Sequence, residues 1–143
     1  MASFVYHSGN EKLLDGTILP EAHSIKAVLL TSSHTPSQSG HDEYADISAD
    51  EVSASGTGYT TGGVVLSGVS VTRSGGVATL DATDYTFASL TAGAAFRYVA
   101  LYDDDVAGDP LLCLLDPGSL QTPDGNAVVL QWNASGLVTS TCV

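Results

Sequence analysis

A chain of 143 residues with 43% hydrophobic and only 14% charged side chains can bury a core and suits one domain, which excludes an intrinsically disordered chain. Sixteen acidic against four basic residues leave a formal charge of -12; phosphate backbones and anionic membranes need a cationic footprint, so neither is an expected partner. No run approaches the roughly 18 apolar residues of a membrane span, and no basic stretch precedes an apolar one at the start, so the chain is expected to be made and kept soluble.

Residues 1–22 read as an N-terminal arm in which Asn10 caps one short helical turn and Gly16 ends it. Ile25 to Thr31 is the first clear strand, apolar and β-branched, stopped by Ser32, Ser33 and Pro36. Its near-continuous hydrophobicity predicts burial on both faces. From His34 to Asp50 the chain is polar and acidic with only Tyr44 and Ile47 as apolar anchors, and the glycine-rich stretch Glu51 to Gly63 follows. Together they predict a long loop at about 34–62 with one helical turn, bending into a strand at Val64.

Beyond Gly63 short strands alternate with turns. Val69 to Val71 and Val77 to Leu80 flank Ser74-Gly75-Gly76 as a hairpin, and Tyr85 to Phe87 forms another short strand. Leu90 to Ala95 can hold a helical turn. Phe96 to Tyr102 alternates with a period of two, and Pro110 to Leu115 is a further strand. Asp124-Gly125-Asn126 turns the chain into Val128 to Trp132, where Val128, Leu130 and Trp132 share a face. A turn at Asn133 to Gly136 then predicts that Leu137 to Cys142 closes back antiparallel on that strand. Eight or nine strands without a long amphipathic helix define an all-β chain: an antiparallel β-sandwich, jelly-roll or immunoglobulin-like, over residues 23–143.

Few residues carry chemistry. His23, His34 and His41 with Asp42 and Glu43 are ordinary metal-ligand types, but spacings of eleven and seven match no compact ligand pattern, so solvated loop histidines are expected. Asp103, Asp104, Asp105 and Asp109 offer hard oxygen ligands for calcium, although the spacing is not that of an EF-hand, and a solvated turn is the competing reading. No G-x-S-x-G elbow occurs, and no catalytic residue is assigned. Arg97, in an apolar strand, requires an intramolecular carboxylate partner. Trp132 is placed in the core rather than on a sugar-stacking surface. Cys113 and Cys142 are expected to be buried free thiols.

Lys12 to Ile18, Ile25 to Pro36, Glu51 to Gly63 and Arg97 to Tyr102 together resemble a family of small proteins from the structural gene clusters of tailed bacteriophages. The resemblance implies a non-enzymatic virion component on the capsid surface, made in the host cytoplasm: a capsid decoration, or cement, protein that binds the major capsid protein and self-associates, with a trimer as the natural state at symmetry axes. Phe4, Val5, Tyr6, Leu13, Leu14, Tyr44 and Tyr59, on the arm and the loop, are the expected partner contacts. A receptor- or glycan-binding surface module, a tail or head-completion ring protein and a small hydrolase are the alternatives.

Overall fold

In the computed structural model, which describes residues 3–141, ten strands form three antiparallel sheets. Strand β1 (Phe4–Val5) precedes helix α1 (His7–Leu14), and β2 (Ile25–Leu30) precedes the loop. Then come β3 (Val64–Val65), β4 (Ser70–Ser74), β5 (Val77–Asp81), β6 (Tyr85–Phe87), β7 (Tyr98–Asp103), β8 (Leu111–Leu115), β9 (Val128–Leu130) and β10 (Val138–Thr141). The central sheet has the order β1-β8-β7-β2-β3; a three-stranded sheet runs β10-β5-β4 and a two-stranded one pairs β6 with β9.

The side-chain period of two sorts the central strands onto two cores. Ile25, Ala27 and Leu29 of β2 and Val99 and Leu101 of β7 face the first, where Leu80, Phe87 and Leu130 arrive from the two smaller sheets and Trp132 from just beyond β9. That is the sandwich. Val28, Leu30, Ala100, Tyr102, Leu111 and Leu114 face the second, where they meet Tyr6 and Ile47. The expected burial of β2 on both faces is therefore observed, and the cover on its second face comes from the N-terminal segment and the long loop. A bulge between Leu101 and Tyr102 shifts the register with β8 from Leu101↔Cys113 to Tyr102↔Leu111.

Three expectations need correction. Residues 3–22 are not a detached arm: β1 pairs with β8, Tyr6 is fully buried and Ile18 nearly so. The double-sided sheet leaves an apolar face that only this segment and the loop can close. Asn10 does not cap the helix, which begins three residues earlier behind Tyr6. The last two strands do not pair with each other; β9 pairs with β6 and β10 with β5. The turn at Asn133 to Gly136 therefore carries the chain from one sheet to another.

The loop is held by short 3-10 turns at Tyr44–Asp46 and Ser48–Asp50, and Ile47 between them is fully buried. At its end Gly63 has a φ of 85° and lies so close to β2 that an added Cβ would stand 2.1 Å from the Ala27 carbonyl oxygen. Only glycine can make that approach. Cys113 is a buried free thiol, and burial pushes its pKa up to about 12. Cys142 lies outside the described residues.

Candidate functional site

Helix α1 rests on β8 through Gly9. An ideal Cβ there would lie 2.6 Å and 2.7 Å from the carbonyl oxygens of Leu111 and Leu112, so the helix backbone touches the strand backbone directly. The chain then turns sharply: Ile18 N–H donates to the Lys12 carbonyl (3.0 Å), Thr17 N–H donates to Asp15 Oδ1 (2.8 Å), and Gly16 takes a φ of 82°. Ile18 dives into the core while Leu14 is left outside. Leu14 and Leu19, with Val71 across on β4, frame an apolar groove of about 340 Å³ whose floor includes Ile18 and Leu80. Leu14 is 80% exposed, Leu19 45% and Val71 44%. Grouped exposed apolar side chains are the kind of surface that partners cover.

Of the expected contacts, Val5, Leu13 and Leu14 line this groove. The others do not. Phe4 meets Tyr6 edge to face at 5.2 Å and both belong to the second core; burial drives the Tyr6 phenol pKa well above its ordinary value. Tyr59 is buried as well. Its hydroxyl accepts from Leu29 N–H (3.2 Å) and donates to Glu51 Oε1 (2.5 Å). The half-buried Tyr44 donates to Glu51 Oε2 (2.5 Å), Gly62 N–H donates to Glu51 Oε1 (2.7 Å), and Tyr44 stacks on Tyr102 at 4.9 Å. Tyr6 and Tyr59 are thus core residues, not surface contacts. Tyr44 and Tyr59 close the loop around one carboxylate, and nothing in the local sequence marks Glu51 as that hub.

The acidic turn after β7 does not gather its carboxylates. Asp103 is fully buried and accepts from His23 Nδ1 (2.6 Å) and Asp105 N–H (3.0 Å). Asp104 pairs with Lys26 (2.9 Å), Asp105 accepts from Ser24 N–H (2.7 Å), and Asp109 ends the turn at a φ of 49°. Burial, then the Asp104 charge, raises the Asp109 carboxyl pKa. Among the described residues no three His, Cys, Asp or Glu side chains converge to hold a metal. The three histidines considered together in the sequence separate in the same way: His23 goes to Asp103, whereas His34 and His41 lie side by side.

A second cleft, of about 430 Å³, is lined by Phe96, Gln121, Gln131, Trp132 and Asn133. Trp132 shows only 9% of its surface, and its indole N–H donates to the Thr83 carbonyl (2.9 Å), as expected of a core residue. Beside the cleft Arg97 grips Asp116 with both guanidinium nitrogens, the intramolecular partner its apolar strand demanded. The imidazole–carboxylate pairs His23–Asp103 and His34–Asp50 have, among the described residues, no Ser, Thr or Cys side chain hydrogen-bonded to either ring. No described helix is long and apolar enough to cross a membrane.

Compared with protein-family models, with curated proteins and with solved structures, the chain shows no significant match to any of them.

Proposed function

We propose that the chain is a structural protein of a tailed-bacteriophage virion, a decoration protein that seats its Leu14–Leu19–Val71 groove on the major capsid protein. The observation that carries this reading is the groove: exposed apolar side chains grouped on a body of charge -12. A protein so acidic repels its own copies, so close assembly on a lattice needs an apolar contact to overcome the repulsion. A central sheet sealed on both faces supports a rigid cement, and binding only the assembled shell would stabilise it by mass action. The contact runs through the groove rather than through a free arm, and copies around a symmetry axis would form a trimer.

The test is quantitative mass spectrometry of purified particles, with this chain scaled against the major capsid protein. Copy numbers in the hundreds support a lattice-bound decoration protein. A handful of copies would overturn it in favour of a neck, tail or adhesin component, and absence from the particle would overturn the virion reading altogether.

A further inference from the structure

The loop brings together two imidazoles, each with one buried nitrogen that has no hydrogen-bond partner. His34 follows β2 by four residues and is 4% exposed. Its Nδ1 lies 2.9 Å from Asp50 Oδ2. A carboxylate only accepts, so Nδ1 carries the hydrogen, and in the neutral ring Nε2 keeps its lone pair. That Nε2 is buried without a hydrogen-bond partner, and so is Nδ1 of His41. The two rings stand 5.4 Å apart at 38°, with Tyr98 set edge-on to His34 at 5.8 Å.

Buried nitrogens in a folded protein are almost always satisfied, and one cation can satisfy both of these. With metal–nitrogen bonds of about 2.0–2.1 Å at a tetrahedral angle, two imidazoles sharing an ion hold their ring centres roughly 5 Å apart, close to the observed separation. Asp50 occupies the position behind a ligating imidazole that fixes its tautomer and raises its basicity. The Asp46 carboxylate, held by Asp42 and Glu43 N–H (2.8 and 3.0 Å), feels the His41 ring electrostatically and adds negative charge on that side.

We propose that His34 Nε2 and His41 Nδ1 bind one late first-row transition-metal ion, of which Zn²⁺ is the convenient probe. Nitrogen donors select such ions over calcium or magnesium, which take oxygen. Two protein ligands leave the remaining positions to water, so affinity is below that of a closed four-ligand site. The ion would staple the start of the loop and, through Asp50, its second 3-10 turn. The proposal is independent of the virion reading.

The full chain, stripped with a chelator and dialysed, is titrated with Zn²⁺ by calorimetry and by thermal melting, and with Co²⁺ by visible absorption. One Zn²⁺ per chain is expected, with a melting temperature that rises with free metal. His41→Ala should lose binding, and Asp50→Asn should weaken it by about tenfold or more. His41 lies in the loop and is half-buried, so its variant should fold even where His34→Gln does not. Absence of saturable Zn²⁺ binding by the folded protein overturns the site, as does unchanged binding by His41→Ala. Equal binding of Ca²⁺ would place the ion on carboxylates and overturn it too.

Discussion

Replacing Glu51 by alanine removes the acceptor for three donors at once: the hydroxyls of Tyr44 and Tyr59 and the N–H of Gly62. Tyr59 is 4% exposed, so its hydroxyl has no water to turn to. Losing a charged acceptor while leaving a buried donor unpaired costs about 1–3 kcal/mol for each such donor. Tyr59 carries that full cost, and the half-buried Gly62 and Tyr44 about 0.5–1 kcal/mol each, because water can replace part of their bonds. The sum, about 2–5 kcal/mol, is a large share of the 5–15 kcal/mol available to a domain and corresponds to a fall in melting temperature of roughly 6–20 °C at this size. Urea unfolding followed by circular dichroism measures it. Tyr59→Phe should cost about 1–3 kcal/mol separately, since it also strips the Leu29 N–H of its acceptor. A Glu51→Ala cost below about 1 kcal/mol would refute the view that this carboxylate closes the loop.

Gly9→Ala should unfold the chain or cost several kcal/mol, because the new methyl meets backbone oxygens of β8 that cannot move; a melting curve decides it. Leu14→Asp, at an 80% exposed position, should leave stability within about 0.5 kcal/mol yet abolish binding to capsids in co-sedimentation. Stability should be full below about pH 9 and fall above it, since the buried Cys113 thiol and the phenols of Tyr6, Tyr44, Tyr59 and Tyr102 all have raised pKa values. These groups stay neutral in the fold while the unfolded chain ionises first, at up to about 1.4 kcal/mol per pH unit for each group; denaturant midpoints between pH 8 and 11 check the sign. Deleting residues 1–22 should yield an aggregating chain rather than a folded sandwich, because it uncovers the second core, and size-exclusion chromatography reads the outcome.

What the sequence made legible followed from local pattern. Apolar runs fixed β2, β7 and β8 to within a residue or two, and the glycine pair at 75–76 placed the β4–β5 hairpin. The apolar strand around Arg97 required a carboxylate, and Asp116 supplies it. What stayed hidden depends on contacts far apart in the chain. Tyr6 reads as an exposed aromatic in a polar segment until β8 gives it a partner face 106 residues on at Leu112. The pairing of β10 with β5 spans four intervening strands, where a short turn argued for a local hairpin. At the groove, Leu13 and Leu14 were legible because they sit in a helical turn ended by glycine, whereas Leu19 and Val71 join them only in the folded chain. The histidines were visible as residue types, but the nearness of His34 to His41 and Asp50 depends on the path of the loop.

The order of strands in the central sheet governs how the protein can be made. β2 leaves the ribosome early, yet its main partner β7 and the next strand, β8, come last among the sheet's members. About 73 residues must follow Leu30 before Asp103 completes β7, which at 5–20 residues per second leaves the β7-facing edge of Ile25-Lys26-Ala27-Val28-Leu29-Leu30 unpaired for roughly 4–15 s. That hexapeptide is apolar, rich in strand-formers and carries one charge, the composition of a segment that pairs with whatever edge it meets. Synthesis of this protein is therefore a race between completing the nascent chain and aggregation through β2, and slower translation lengthens the exposure.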